Sequence, residues 1–253
     1  MEKKVVLITG ASSGIGKATA ELFAKNNFDL ILTARRKERL DELKSELEKI
    51  GIAVYISAFD IRSKEESQKA FDAIPDDFKK RLTILINNAG LAAGKEDFDT
   101  ALLTDWEQMI DTNIKGLLYI SKLITPLFIE KQDGYIINIA STAGKEVYEN
   151  GNVYCATKHA VDALSKAMRM DLFRHNIQVT NVAPGAVETE FSLVRFKGDQ
   201  SKADSAYNGY QPLTGEDVAE VILFAANRPS HVSINDIVIT PKAQGSATLF
   251  NKK

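Results

Sequence analysis

Val5-Val6-Leu7-Ile8-Thr9-Gly10-Ala11-Ser12-Ser13-Gly14-Ile15-Gly16 joins a nearly continuous apolar run to a glycine-rich turn, and its reading decides the fold. A short apolar run ending in glycine reads as a strand buried on both faces, as in parallel sheets. The amphipathic stretch Gly14 to Asn26 reads as a helix, and Asp29 to Thr33 as a second strand. Working outward, the alternation continues with a charged helix from about Lys37 to Ile50, strand Ala53 to Phe59, helix Lys64 to Ile74 and strand Leu82 to Asn87. Helices about Asp105 to Thr112 and Ile114 to Lys131 follow, then strand Tyr135 to Ala140, a helix about Asn152 to His175 and strand Gln178 to Val182. Helix Gly215 to Ala226 and strand Val238 to Thr240 complete the series. The pattern predicts an α/β fold: a single-domain, Rossmann-type, doubly wound parallel sheet of about seven strands with helices on both faces. Ligands of such sheets lie beyond the carboxyl ends of the strands.

Two regions escape the alternation. Residues 184–214 have no sustained periodicity and carry Gly185, Gly198, Gly209 and Pro212, the character of a lid over a substrate. The polar tail 241–253 is expected to be mobile or to dock on a partner.

A chain of 253 residues, 44% hydrophobic and 26% charged, buries a large core within one domain. The formal charge of −2, with no long run of one sign, argues against nucleic acid or a membrane surface as partner and for small molecules or copies of the chain itself. Cys155 is the one cysteine, which excludes an intrachain disulfide and a cysteine-based metal cluster. His159, His175 and His231 lack ligand spacing, so no metal site is expected. The apolar stretch after Lys4 is too short for a signal-peptide core, and no run reaches the roughly 18 apolar residues of a membrane span. A reducing cytoplasm is the expected location.

The turn Thr9 to Gly16 has the spacing G-x-x-x-G-x-G between strand and helix. Gly10, Gly14 and Gly16 there permit a tight turn and close backbone approach to a pyrophosphate, and a helix N-terminus offers free N–H groups to phosphate. Dinucleotide binding is the reading. The second strand ends Thr33-Ala34-Arg35-Arg36, with no acid to hold ribose hydroxyls. A guanidinium clamps phosphate through parallel hydrogen bonds, so Arg35 and Arg36 favour NADP(H), although Arg36 also suits the solvated first turn of a charged helix. Tyr154 and Lys158, four residues apart, share one helix face about 5–6 Å apart at Cβ. An ammonium near a phenol favours phenolate, which makes Tyr154 a candidate general acid/base.

With the glycine pattern, Asn87-Asn88-Ala89-Gly90, Asn113, Ser141 and the Tyr154/Lys158 pair in order, the chain resembles the short-chain dehydrogenase/reductase family over essentially its whole length. By that resemblance Ser12, Ser13, Ile15, Asp60, Ile61, Asn87, Ala89 and Gly90 would line the nucleotide, with Asp60 on the adenine amino group. Lys158 would also hold the nicotinamide ribose, and Val187 and Thr189, from the stretch beginning Pro184-Gly185, the nicotinamide amide. Ser141 would bind the substrate oxygen, Tyr154 transfer the proton, and Asn113 hold a water linking Lys158 to solvent. The family is typically tetrameric, through helices corresponding to about 100–131 and 152–175.

Asn87 to Gly94, Asp111 to Gly116, Arg195 to Asp199 and His231 to Asn235 look like the NADP-dependent 3-hydroxy acid dehydrogenases, which include serine and allo-threonine dehydrogenases and malonic semialdehyde reductases. A small hydroxy acid brings a carboxylate that needs a cation. Arg195 is the candidate, with Lys197 beside it and a structural ion pair as the alternative role. Lys145-Glu146 departs from the pattern by placing two charges between Ser141 and Tyr154, where the substrate mouth is expected. Rival readings are a reductase of another carbonyl, such as a 3-oxoacyl thioester or ketone, and a non-catalytic NADP(H) sensor.

Overall fold

The computed structural model describes residues 2–253. Seven parallel strands form one sheet in the order β3-β2-β1-β4-β5-β6-β7: β1 Val5–Thr9, β2 Asp29–Ala34, β3 Val54–Ala58, β4 Leu82–Asn87, β5 Gly134–Ile139, β6 Ile177–Pro184 and β7 Asp236–Ile239. The strand order reverses between β1 and β4, which opens a crevice at their carboxyl ends. The apolar run of β1 behaves as expected for a strand covered on both sides. Val6 and Ile8 enter one core with Phe23, Leu40 and Ile222, while Val5 and Leu7 enter the other with Ile124, Phe128 and Leu172. Each such side chain, fully buried, contributes roughly 1.5–3 kcal/mol.

The first core is covered by α1 Gly14–Lys25, α2 Lys37–Glu48 and, later in the chain, Gly215–Ala226; the second by α3 Lys64–Asp72 and the long helices that follow β4 and β5. A short helix absent from the sequence reading, α4 Asp76–Arg81, precedes β4. Its sequence DDFKKR has no apolar period, and Arg81 anchors it through Asp77 and Asp29, each 2.5 Å away.

The two helices expected around residues 105–131 are one path: α5 Leu103–Ile110, a π turn Asp111–Gly116, then α6 Leu117–Lys131. The helix expected to run to His175 is α7 Asn152–Leu172, closed by a 3₁₀ turn Phe173–His175. The aperiodic region holds two six-residue helices, α8 Glu190–Arg195 and α9 Gln200–Ser205, before α10 Gly215–Ala226. Its two ends meet, because Val187 bridges Leu213, Glu188 N donates to Leu213 O at 2.8 Å and Leu213 N to Ala186 O at 3.0 Å. The tail folds back on the chain itself: Gln244 pairs with Phe250, and Lys253 N donates to Gly209 O at 2.8 Å. No helix among the described residues is long and apolar enough to cross a membrane.

Candidate active site

The glycine turn closes against β4. Gly10 has φ 68°, and a Cβ there would lie 2.9 Å from Ala89 Cα; one on Gly16 would lie 2.4 Å from Gly10 O. Neither position accepts a side chain without backbone movement. Asn88, which the sequence reading passed over, fixes the turn by donating from Nδ2 to Thr9 O at 2.9 Å and to Gly10 O at 3.2 Å. The adjacent Asn-Asn at a strand end was the available signal. Ser13 caps α1 without a side-chain hydrogen bond and no acid occupies the first turn, so the helix's free N–H groups and positive end face the cleft.

Gly10, Ser12, Ser13, Gly14, Ile15, Arg35, Arg36, Asp60, Ile61, Ala89 and Gly90 line one cleft together with Ser141, Tyr154, Lys158, Pro184, Gly185, Val187 and Thr189. The two halves of the predicted site therefore face each other. Thr33, Ala34, Phe59, Leu91, Thr112, Glu190, Phe191 and Val194 also line it. Those in β2 and after β3 were hidden because strands buried on both faces carry no alternation to show which side chains point outward.

Asn87 needs correction. Its amide turns into the interior, where Nδ2 donates to Ser121 Oγ at 2.9 Å and to Asn138 Oδ1 at 2.8 Å, and it does not line the cleft. Gly16 acts through packing, as its contact with Gly10 shows. Arg36 is committed: it donates to Ser12 Oγ at 3.1 Å and Ser13 Oγ at 2.8 Å and pairs with Glu190 Oε2 at 2.8 Å, while Arg39 takes Glu190 Oε1 at 2.6 Å. Glu190 thus joins α8 to the basic start of α2. Arg35 is exposed at the cleft, with no ion pair among the described residues. Asp60 is held ionised, its carboxyl lowered chiefly by hydrogen bonds from Arg62.

Ser141 lies just past β5, 8% exposed, donating to Pro184 O at 3.3 Å and accepting from Ala143 N at 3.1 Å. Tyr154 and Lys158 are buried on the first turns of α7, and Lys158 Nζ donates to Ile139 O at 2.9 Å. Lys158 Nζ stands 6.0 Å from the Tyr154 ring centroid, and burial pushes the phenol well above its ordinary range. Tyr148 adds to that rise, while Ser141 and Arg195 oppose it. Burial also lowers Lys158 from 10.5 to about 8.

Asn113 sits in the π turn and lies off the cleft lining. Its Nδ2 donates to Leu91 O at 2.8 Å and Thr157 Oγ1 at 3.0 Å, and its Oδ1 accepts from Leu91 N at 2.9 Å. Most of the amide's capacity is spent bracing Leu91 against α7.

Arg195, at the end of α8, also stands off the cleft lining but over the Tyr154 phenol, its guanidinium 5.6 Å from the Tyr154 ring centroid and 5.8 Å from that of Tyr148. Nε donates to Gly94 O at 3.2 Å and Nη1 to Tyr148 Oη at 3.1 Å, while Nη2 is buried with no partner among the described residues. Lys197 is taken up by Asp105 at 2.7 Å. Lys145 pairs with Asp162 at 2.6 Å and Asp236 at 2.7 Å, and Glu146 accepts from Ala247 N at 2.9 Å. The departure at Lys145-Glu146 therefore braces β7 and the tail.

A glycine turn before a helix, a Ser–Tyr–Lys set on the facing wall and one parallel sheet holding both define a family: a model described as short chain dehydrogenase matches residues 4–199, and the chain belongs to it. Among relatives, the NADP-dependent 3-hydroxy acid dehydrogenase YdfG of Escherichia coli (strain K12) is 43% identical over 97% of this chain and 98% of that protein. Serine 3-dehydrogenase of Agrobacterium fabrum is 43% identical over 96% of this chain and 95% of its own. The closed form of a serine dehydrogenase complexed with NADP+ superposes with a TM-score of 0.93 at 42% identity, over 98% of this chain and 99% of that one.

Proposed function

We propose that this chain is a cytosolic NADP-dependent oxidoreductase interconverting a small 3-hydroxy acid, of the serine, allo-threonine, 3-hydroxypropionate or 3-hydroxyisobutyrate type, with its 3-oxo form. The observation that carries the substrate class is the buried, unpartnered Nη2 of Arg195 beside Tyr154. A buried guanidinium donor costs free energy unless something accepts from it, and a carboxylate is the acceptor it binds most strongly. A ketone or thioester carbonyl would answer that donor only as a neutral acceptor, the weaker partner. The relatives described as 3-hydroxy acid and serine dehydrogenases support the same reading.

The residues present fit the dinucleotide: the free N–H groups of α1 suit a diphosphate, and Arg35 offers an uncommitted cation for a 2′-phosphate. Bound NADP+ supplies the hydride acceptor. Ser141 orients the substrate hydroxyl through its Oγ, and Tyr154 takes the hydroxyl proton. In this direction Tyr154 starts as the phenolate and ends as the phenol, and Lys158, tied to Ile139 O, holds positive charge near the phenolate that accepts the proton. Residues 184–214, with α8 and α9, form the lid that brings Arg195 over the site. Burial that raises the phenol keeps Tyr154 in its protonated form, the form that reduction needs, so oxidation, which needs the phenolate, should accelerate as pH rises.

The test is Arg195→Met assayed with 3-hydroxypropionate and with an uncharged alcohol of similar size. Loss of a charge-assisted hydrogen bond should lower kcat/KM for the acid by about 10- to 100-fold and leave the alcohol nearly unchanged. Equal losses on both would refute carboxylate binding.

We also propose self-association as a homotetramer. Leu102 and Leu103 at the start of α5, with Met170 and Phe173 at the end of α7, expose apolar side chains on the helices named for it. Sedimentation velocity at micromolar concentration checks it.

A further inference from the structure

The tail 241–253 ends in a hairpin seated on the base of the 184–214 segment. Within it, Asn251 N donates to Ala243 O at 2.8 Å and Gly245 N to Leu249 O at 2.9 Å. Outside it, Phe250 packs on Tyr210 with ring centroids 4.7 Å apart, Ala247 N donates to Glu146 Oε2 at 2.9 Å, and Lys253 N reaches Gly209 O. The one tail side chain that enters the interior with a polar head is Gln244, 7% exposed, whose Oε1 accepts from Ala186 N at 2.9 Å. Ala186 lies between Gly185 and Val187, both on the cleft lining.

The contact is close on both sides. A Cβ on Gly185 would stand 2.2 Å from Gln244 Oε1, so the amide reaches Ala186 only because residue 185 has no side chain. The carbonyl of Ala186 is held by Leu213 N at 3.0 Å and Gly185 N by Ile239 O at 2.8 Å. Ser141 Oγ holds Pro184 O and Tyr207 Oη holds Val187 O; Gln244 adds the restraint on Ala186 N–H, and it comes from a hairpin rather than from the sheet.

We infer that Gln244 is a positioning residue for the reaction: through Ala186 N–H it fixes the Pro184–Val187 backbone, and with it the place of the nicotinamide end of the cofactor. This rests on the reading of Pro184, Gly185 and Val187 as cofactor contacts. The adenosine end is set by other elements, the glycine turn and Arg35. Removing the acceptor should thus separate hydride transfer from cofactor affinity.

The experiment compares Gln244→Met, which keeps the volume and loses the acceptor oxygen, with Gln244→Glu, which keeps an acceptor. Single-turnover NADPH formation and NADPH binding by fluorescence titration are read in each, with thermal unfolding as a check of the fold. Because small misplacements far from the chemistry cost up to about a hundredfold, Gln244→Met should slow hydride transfer about tenfold with NADPH affinity changed less than about twofold. Gln244→Glu should recover most of the rate. Equal effects of the two substitutions, or a rate loss matched by an affinity loss, would overturn the inference and leave Gln244 a packing residue. Should Gln244→Met not fold, Gln244→Asn, which draws the acceptor back by one methylene, carries the same expectation. A separate variant, Val187→Trp, tests the premise by pushing a large side chain into the cleft that Val187 lines: unchanged NADPH binding and turnover there would remove the loop from the cofactor site.

Discussion

Arg36 sits over the glycine turn and Arg195 over Tyr154, and the two guanidinium groups are satisfied differently. Arg36 is about half exposed, yet its donors are spent on Ser12, Ser13 and Glu190. Arg195 is more deeply placed and keeps Nη2 free. Exposure alone would have ranked them the other way. A guanidinium already answered by a carboxylate and two hydroxyls braces the walls of the cleft, whereas one buried beside Tyr154 with an unanswered donor is the one the proposed function gives to the substrate. On the proposed function, the glycine-turn end ties the walls together and the phenol end recognises the substrate.

The largest effect that would sharpen this contrast is at Tyr154. Tyr154→Phe removes the proton carrier and nothing at the glycine turn, so kcat should fall roughly a thousandfold with NADP(H) affinity unchanged. Stopped-flow turnover beside a binding titration checks it, and retained turnover would move the chemistry to another group. A smaller effect is expected at Glu190, whose carboxylate ties α8 to Arg36 and Arg39 across the cleft. The pairs are well exposed and hence individually weak, so Glu190→Gln should speed NADPH release only about two- to fivefold at low salt. The difference should vanish at high ionic strength. Slower release in the variant would mean instead that Glu190 competes with the cofactor for the two arginines.

A third effect, read on stability instead of turnover, concerns Lys158. Lys158 is lowered from 10.5 to about 8, so between those values the unfolded chain binds more protons than the folded one, and its burial cost is relieved as pH rises. Tyr154, raised by burial, opposes this only above the ordinary phenol value of about 10. Unfolding free energy should therefore climb from about pH 8 to 10 by on the order of 1–3 kcal/mol from this group, and Lys158→Met should flatten the climb. Urea titrations of both proteins across that range decide it. A parallel climb in the variant would assign the effect to other amines such as Lys131, which burial also lowers.

Much of the frame was legible because short apolar runs bounded by glycine or asparagine mark the central strands, and β4 and α10 keep their predicted bounds. The Tyr154/Lys158 pair was legible because a spacing of four puts both on one face of α7, and both line the cleft. What escaped reading depends on distant contacts. The π turn adds a residue to the helical repeat at Asn113, so one path looked like two helices. The helices α8 and α9, six residues each, are too short to show a period. The commitment of Arg36 depends on Glu190, 154 positions away, and the inward turn of Asn87 on Ser121 and Asn138. No local pattern encodes those partners.

The meeting of Val187 with Leu213 has a consequence for how this chain can vary. A loop whose ends are already zipped together is an exchangeable cassette: the sheet sees only the closed base, whatever the excursion carries. Lengthening such a loop is cheap, each doubling costing only about 0.6 kcal/mol in closure entropy. New side chains can therefore be hung over Tyr154 by rewriting residues 188–212 with their outside partners at Arg36, Arg39, Gly94, Asp105 and the tail, while the strands stay as they are.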